Sequence, residues 1–211
     1  MAGSRDRKNH SPKEIEWAPL PDKKYSIIYI DPPWQYDCVM HSGSSFIDDK
    51  GKKTIRYNAA HIQYPTASIP EMKKLDIESI AEKDCLMFMW MVGPMIPEAI
   101  ELGAHWGFKF ITFGFIWHKE RVNPGYYTCS SVEYVGIFKR GSIPTPRGSR
   151  CEYQFLSQIS GEHSRKPIEI MRRIERMFPE QSKIEIFARM QHEGWDAYGN
   201  ETEKYESKKL F

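Results

Sequence analysis

The sequence has 211 residues, with 30 lysines and arginines against 28 aspartates and glutamates and a formal net charge of +2. This near balance excludes a polycationic protein that binds nucleic acid through its overall field, so any such affinity must come from local patches. The length fits one domain. We expect a frayed tail over residues 1–16, the domain over 17–202 and a charged tail over 203–211.

The four cysteines are far apart and form no C-x-x-C pair. This spacing favours reduced thiols and a cytoplasmic location over a disulfide scaffold. The seven histidines are scattered, so we expect no structural metal site. The longest apolar stretch, Cys85 to Pro97, is too short to span a bilayer, and we expect neither a signal peptide nor a membrane anchor.

The first strand leads directly to a distinctive tetrapeptide. Tyr25–Ile30 is a run of apolar, β-prone residues that predicts a buried strand. Two prolines end it in Asp31-Pro32-Pro33-Trp34, because neither proline offers an N–H to a sheet ladder. Ligands bind at the carboxyl ends of strands in open α/β sheets. The motif therefore predicts a ligand site rather than a turn whose Asp satisfies loop amides and whose Trp packs on the core.

This tetrapeptide suits one kind of chemistry. The 6-amino group of adenine is a poor nucleophile, since its lone pair is delocalised into the ring. The Asp31 carboxylate and the Pro32 carbonyl can each accept one N–H bond from it, which favours a more pyramidal and more nucleophilic nitrogen. The ring of Trp34 can stack on a base that has been swung out of its strand.

A long polar segment, residues 35–66, follows the tetrapeptide. Such a loop in a compact domain is usually functional or disordered, so a lid over substrate and a flexible insertion both stay open. Ser68 and Glu71 then form a capping box. The pattern predicts a short helix to about Lys74 and a second one over Ile77–Glu82.

Strands and helices alternate along the rest of the chain. The apolar run Cys85–Val92 predicts a central parallel strand, and a helix over Ile96–Trp106 should stop at Gly107. An amphipathic helix begins near Pro167. Further strands are predicted over Phe108–Lys119, Val132–Lys139, Phe155–Ser160 and Lys183–Arg189. This order predicts an α/β fold with a doubly wound, mostly parallel sheet.

One loop is strongly basic. The segment from Lys139 to Arg150 carries four positive charges and no acid, on Lys139, Arg140, Arg147 and Arg150. Glycine and proline break any regular structure there. We expect this loop to contact a phosphate backbone, the alternative being a solvated loop.

Residues near the C-terminus suggest contacts to a small ligand. Lys166 precedes the predicted helix, next to free backbone N–H groups, which suits a carboxylate. The last predicted strand ends at Arg189, and Asn200 and Glu201 follow in the loop beyond it; an amide and an acid can hold ribose hydroxyls. No G-x-G-x-x-G and no P-loop is present, so neither NAD nor ATP has its usual signature.

Six blocks together resemble a known family. They are Asp31–Trp34, Cys85–Gly93, Ile116–Lys119, His163–Pro167, Ile184–Arg189 and Gly194–Glu201. In this order they resemble the family built around the catalytic subunit of the eukaryotic mRNA adenine methyltransferase, which includes bacterial and phage DNA enzymes. The match covers about residues 24–202. It implies a Rossmann-like fold in permuted order, with the catalytic motif first, and S-adenosylmethionine as methyl donor.

The resemblance also implies roles for single residues. In the catalytic motif, Asp31 and Pro32 would bind the target amine beside Pro33, with Asp31 also near the cofactor. Trp34 and Tyr64 would line the base pocket. The implied cofactor contacts are Lys166 to the carboxylate, Phe187 near the adenine, and Arg189, Asn200 and Glu201 to the ribose and adenosine.

Some positions depart from the family pattern. Many relatives have an arginine before the His-Ser pair, where this chain has Gly161-Glu162, so an arginine contact to substrate is in doubt there. The ending Gly-Asn-Glu and the lack of long N-terminal regions favour a compact DNA enzyme. We therefore expect an adenine-N6-specific DNA methyltransferase. The same reaction on RNA, a catalytically silent nucleic-acid-binding subunit, and a homodimer or partner subunit stay open.

Overall fold

A computed structural model describes residues 17–35, 45–47, 53–55, 66–123, 127–159 and 165–199. The helices are α1 (Ile69–Lys73), α2 (Ile96–His105) and α3 (Ile168–Met177). The strands are β1 (Tyr25–Ile30), β2 (Ser45–Ile47), β3 (Lys53–Ile55), β4 (Ala81–Met91), β5 (Lys109–Asn123), β6 (Ser130–Arg140), β7 (Phe155–Ser157), β8 (Lys183–Ile186) and β9 (Asp196–Tyr198). None of the helices in these ranges is both long and apolar enough to cross a bilayer.

The main sheet has seven strands in the order β7-β5-β6-β4-β1-β8-β9. Strand β1 pairs in parallel with β4 and β8, β9 pairs in parallel with β8, and β7 pairs in parallel with β5. Only β6 runs antiparallel, to both β4 and β5, among the strands that the structure describes in this sheet. The predicted Rossmann-like, mostly parallel α/β sheet is confirmed, and its permuted order stays a prediction.

Helices cover both faces of the sheet, as the alternating pattern predicted. On one face Ile28 and Ile30 of β1 pack in a cluster that includes Met72 of α1 and Leu102 of α2. On the other face Ile27 and Tyr29 of β1 pack in a cluster that contains three residues of α3, Ile170, Met171 and Ile174. Because β1 is buried on both sides, its run of apolar residues is continuous rather than alternating.

Local signals set several element boundaries. The capping box is confirmed, because Ser68 Oγ accepts a bond from the Glu71 N–H and the Glu71 carboxylate accepts one from the Ser68 N–H at 2.7 Å. Helix α2 ends at His105, and Gly107 follows at φ +80°. The predicted helix over Ile77–Glu82 is wrong at its end. Only Ile77–Ile80 form a 3₁₀ turn, because Ala81 already pairs with Tyr25 in the sheet.

The carboxyl ends of β1, β4 and β8 lie along one edge of the sheet, which we call the carboxyl edge. The opposite edge is the amino edge. Strand β6 begins at the carboxyl edge, where Tyr134 pairs with Met91, and ends at the amino edge, where Arg140 pairs with Cys85. Residues that follow β1 and β8 therefore meet the first residues of β6 at the carboxyl edge.

Candidate active site

Four charged side chains meet in a row at the carboxyl edge. Lys166 Nζ lies 3.3 Å from Asp31 Oδ1 and 2.8 Å from Glu133 Oε2. The other oxygen of Glu133 lies 3.1 Å from Lys119 Nζ. These side chains are between 13% and 24% exposed. They come from β1, β5, β6 and the segment before α3, so the fold, rather than any local motif, brings them together.

Burial and charge compete at each of these groups. Burial raises the pKa of the Asp31 carboxyl, Lys166 and Arg189 oppose that effect, and Glu133 adds to it. Burial acts on Glu133 in the same way, but Lys166 and Lys119 outweigh it and hold the pKa of Glu133 below its ordinary value. Burial also opposes the charge on Lys166, yet Asp31 and Glu133 together raise its pKa. Lys166 is therefore a permanent cation between two carboxylates.

The rest of the tetrapeptide is well ordered around Asp31. The Trp34 N–H donates to the Pro32 carbonyl at 2.8 Å, and the Ala67 N–H donates to the Pro33 carbonyl at 2.9 Å. A carbonyl has two lone pairs, so the Pro32 carbonyl keeps one for a ligand. These contacts fix the acceptor that the sequence assigned to the target amine.

Trp34 packs on the core, as the alternative interpretation of the tetrapeptide expected. Its side chain is only 6% exposed and packs in the core cluster with Ala67. Trp34 Nε1 donates to the Trp90 carbonyl at 3.1 Å. A buried indole with its N–H satisfied has a structural role. Its stacking on a target base stays a prediction.

A cleft opens beside Asp31. Its lining comes from β1, β8, the residues that follow β8 and the start of α3, and consists of Tyr29, Asp31, Arg165, Lys166, Pro167, Ile168, Met171, Glu185, Phe187, Arg189, Met190 and His192. Glu185 Oε2 is buried there without a hydrogen-bond partner among the described residues. Burial first, and then the charge of Asp31, raise the pKa of Glu185 to about 7, against the effect of Arg189.

The cleft gathers the predicted cofactor residues that the structure describes. Lys166, Phe187 and Arg189 all line it. Phe187 has φ +63°, which is rare for a bulky side chain, and its ring centroid lies 5.4 Å from that of Trp17. The predicted residues Tyr64, Asn200 and Glu201 lie outside the described residues, so their roles stay predictions.

The basic loop is not part of this cleft. Lys139 and Arg140 lie at the amino edge, across the sheet from Asp31. The expectation that all four cations lack a counter-charge is wrong for Arg140, whose Nη1 lies 3.0 Å from Glu78 Oε1. The Arg147 guanidinium lies over the Phe178 ring at 5.6 Å. Phosphate contact by the loop stays a prediction.

The loop also has a structural role. The Gly148 N–H donates to the Met177 carbonyl at 2.9 Å, and the Ser149 N–H donates to the Arg176 carbonyl at 2.7 Å. These are carbonyls of the last turn of α3, which would otherwise lack partners. The loop therefore caps α3 in addition to presenting cations.

Sequence reasoning missed Lys119, Glu133, Glu185 and Trp17. A signal existed for the two acids, since Glu133 and Glu185 are each the single carboxylate of their strand and lie between apolar neighbours. Acids are almost never buried in a sheet unless they are paired. For Lys119 and Trp17 no comparable local signal exists.

Comparison with known proteins gives the family of the chain. The family model MT-A70 matches residues 25–201. The chain belongs to the MT-A70 family. It is 43% identical over 194 residues to the type II methyltransferase M.MunI from Mycoplasma sp, a match that covers 90% of this chain and 83% of the relative.

More distant MT-A70 relatives are longer proteins. An N(6)-adenosine-methyltransferase MT-A70-like protein from Arabidopsis thaliana is 27% identical over 84% of this chain and 24% of its own length. The N(6)-adenosine-methyltransferase catalytic subunit METTL3 from Homo sapiens is 25% identical over 84% of this chain and 28% of its own length. The chain therefore spans about a quarter of these relatives.

Proposed function

We propose that the protein is an S-adenosylmethionine-dependent methyltransferase that modifies the 6-amino group of adenine in DNA. The observation that carries the proposal is the Asp31 carboxylate, fixed at the carboxyl edge beside the Pro32 carbonyl and next to a charged cleft. Membership of the MT-A70 family and 43% identity to a type II methyltransferase support the reaction and the DNA substrate.

The residues of the cleft fit the proposed cofactor. S-adenosylmethionine carries a carboxylate, two cationic centres, ribose hydroxyls and an adenine. The cleft offers cations on Lys166, Arg165 and Arg189. It also offers the carboxyl of Glu185, with one oxygen that has no hydrogen-bond partner among the described residues, and an aromatic wall at Phe187. The carboxylate, one cationic centre and the adenine of the cofactor therefore each have a complementary side chain in the cleft.

Lys166 can serve both Asp31 and the cofactor. An ammonium group has three N–H donors. The contacts to Glu133 and Asp31 account for two of them. The Trp90 ring also lies 4.8 Å from the ammonium, and the third N–H can donate beside this ring to the cofactor carboxylate, the partner that the family resemblance implies. The Lys166 ammonium would then bind the cofactor and also fix the position of the Asp31 carboxylate.

The chain's own residues position the reaction rather than react covalently. Asp31 and the Pro32 carbonyl accept the two N–H bonds of the amine and stabilise the positive charge that develops on it. When bound, the cofactor supplies an electrophilic methyl group on its sulfonium. Lys166 holds Asp31 in place, so the acceptor needs no reorganisation as the charge develops.

A labelling assay tests this proposal. The protein is incubated with methyl-labelled S-adenosylmethionine and with DNA or RNA of matched sequence, and the nucleosides are then analysed. We expect label in N6-methyldeoxyadenosine. Asp31→Asn, which keeps the shape of the side chain, should lose about 10²-fold or more in kcat, with its melting temperature measured alongside.

The same assay decides between the alternatives. Label in RNA alone would make the protein an RNA enzyme; the plant and human relatives are named N(6)-adenosine-methyltransferases. Absence of label in both substrates, with nucleic acid still bound, would indicate a catalytically silent subunit. Turnover by Asp31→Asn at the parent rate would overturn the catalytic role of Asp31.

A further inference from the structure

Lys119 has no role in the proposed reaction, yet it is the outermost member of the charged row. Its ammonium contacts Glu133 at 3.1 Å, and the two side chains are 14% and 13% exposed. From Glu133 the row continues through Lys166 to Asp31. The row alternates in sign and has no net charge when all four groups are ionised.

The electrostatic balance of this row depends on Lys119. Each carboxylate oxygen of Glu133 contacts a different lysine, Oε1 contacting Lys119 and Oε2 contacting Lys166. An unpaired charge in a protein interior is costly, so a buried carboxylate that loses one cationic partner interacts more strongly with the remaining one. Without Lys119, the ammonium of Lys166 would interact more strongly with Glu133 and less strongly with Asp31.

We propose that Lys119 is a positioning residue of the methyl-transfer site, which neutralises Glu133 so that Lys166 can support the ionised form of Asp31. This inference rests on the proposed function, because it assigns Lys119 to the same reaction. It adds a residue on β5 that is far in sequence from the tetrapeptide and does not line the cleft.

The surroundings of Asp31 make its ionisation sensitive to such a change. Groups from every neighbouring element contribute to its environment: Tyr29 on β1, Glu133 on β6, Lys166 before α3, Glu185 on β8 and Arg189 after it. Burial already raises the pKa of the Asp31 carboxyl. Loss of the Lys119 charge leaves the row with a net charge of about −1, which raises the pKa of Asp31 further.

The test compares pH profiles of kcat for the parent and three variants. Lys119→Met removes the charge and keeps the apolar stem, and Lys119→Arg keeps the charge. Lys109→Met is the matched control, since Lys109 lies on the same strand, is exposed at the amino edge and pairs across the ladder with another lysine, Lys139. We expect the acidic limb of the kcat profile to move to higher pH by about one unit in Lys119→Met, which lowers kcat about tenfold at pH values below the limb. Lys119→Arg and Lys109→Met should follow the parent.

Two kinetic results would overturn the inference. One is an acidic limb of Lys119→Met that superimposes on those of the parent and Lys109→Met. The other is an equal shift in Lys119→Met and Lys119→Arg, because the shape of the side chain rather than its charge would then matter.

A second measurement separates this inference from the proposed function. In protein without cofactor, NMR of carbon-13-labelled aspartate follows the titration of the Asp31 carboxyl, assigned with Asp31→Asn. Lys119→Met should raise this pKa by about one unit, and an unchanged titration overturns the inference. Failure of the parent to methylate any nucleic acid overturns the proposed function instead, and leaves the titration to decide on Lys119.

Discussion

Glu185 lies on β8 beside β1, and its pKa is raised to about 7, mainly by burial and then by the charge of Asp31. In the unfolded chain this carboxyl titrates near its ordinary value of 4.5. Between these two pH values the folded protein keeps a proton that the unfolded chain releases. The free energy of unfolding therefore falls as pH rises through this window, by roughly 3 kcal/mol for this group.

Glu185→Gln should stabilise the protein at high pH, because the amide has the shape of the protonated carboxyl and never ionises. We expect a higher melting temperature than the parent at pH 8 and a much smaller difference at pH 5. Glu180→Gln, at an exposed position in the turn before β8, is the control. If Glu185→Gln and the parent had the same melting temperature at pH 8, ionisation of Glu185 would not destabilise the folded protein.

Lys166 supports a second prediction at this scale. Lys166→Met should weaken the binding of S-adenosylmethionine, because it removes a charge-assisted hydrogen bond worth roughly 1.5–3 kcal/mol, or about ten- to more than a hundredfold in Kd. Calorimetric titration measures this, with the melting temperature alongside, since Asp31 and Glu133 both lose a partner. Arg172→Met, at an exposed position on α3, is the control. An unchanged Kd would place the cofactor elsewhere.

Elements defined by local signals could be predicted from the sequence. Strand β1 is a continuous apolar run, α1 has its capping box and α2 has a glycine after its end. Each of these signals lies within or next to the element that it defines. The direction of β6 follows from chain length, because the six residues from 124 to 129 are too few for the crossover that a parallel neighbour requires.

The charged row could not be predicted in the same way. Glu133 and Lys166 are 33 residues apart in sequence, and no periodicity links a strand residue to a residue before a distant helix. The motif placed Asp31 at the carboxyl edge, but only the order of the strands in the sheet and the packing of α3 on it supply its neighbours. Tertiary contacts of this kind carry no sequence signature beyond an isolated acid in an apolar strand.

The segment before β1 connects two elements around the cleft. Trp17 Nε1 donates to the Glu71 carbonyl in α1 at 2.9 Å, while its ring contacts Phe187 after β8. The Tyr198 hydroxyl donates to the Ala18 carbonyl at 2.6 Å. Residues 17 and 18 therefore hold α1 and the β8–β9 region together, with Phe187 as the contact that reaches the cleft.

Trp17→Ala should weaken cofactor binding by roughly three- to tenfold, the value of one aromatic pair. Phe187 would lose the ring that supports its unusual backbone conformation. Trp17→Phe should lie between Trp17→Ala and the parent, since it keeps an aromatic ring and loses the bond to Glu71. Calorimetric titration measures Kd, and Tyr153→Ala, at an exposed aromatic away from this contact, is the control. Equal Kd values for Trp17→Ala and the parent would contradict this role.

The two edges of the sheet differ in how their charges are used. In the charged row at the carboxyl edge acids and bases are paired, so the row has little net charge to attract a polyanion. At the amino edge Lys139 faces Lys109 across the ladder. On β4, Met89 pairs with Ile30 at the carboxyl edge and Cys85 pairs with Arg140 at the amino edge. These two β4 residues are four positions apart, or about 13 Å. Phosphates at the basic loop would therefore lie at least about four base pairs from the target base, if a duplex spans both edges.

Lys139 and Arg150 test whether the basic loop contacts DNA. Both lack an ion pair among the described residues, whereas Arg147 packs on Phe178 and is less suitable because its loss also removes packing. For a duplex of about 30 base pairs, the double variant Lys139→Gln and Arg150→Gln should flatten the salt dependence of log K by up to about two. Affinity should fall similarly for all sequences, and cofactor affinity should not change.

Duplex length and a matched variant make this test decisive. A duplex that stops within about three base pairs of the target adenine should not reach the loop, so parent and double variant should then have equal slopes. Arg140→Gln is the control on the long duplex, since Arg140 is already paired with Glu78 and should contribute little. Equal slopes on the long duplex would exclude the loop from the interface. A loss confined to some sequences would indicate instead that the cations read base edges.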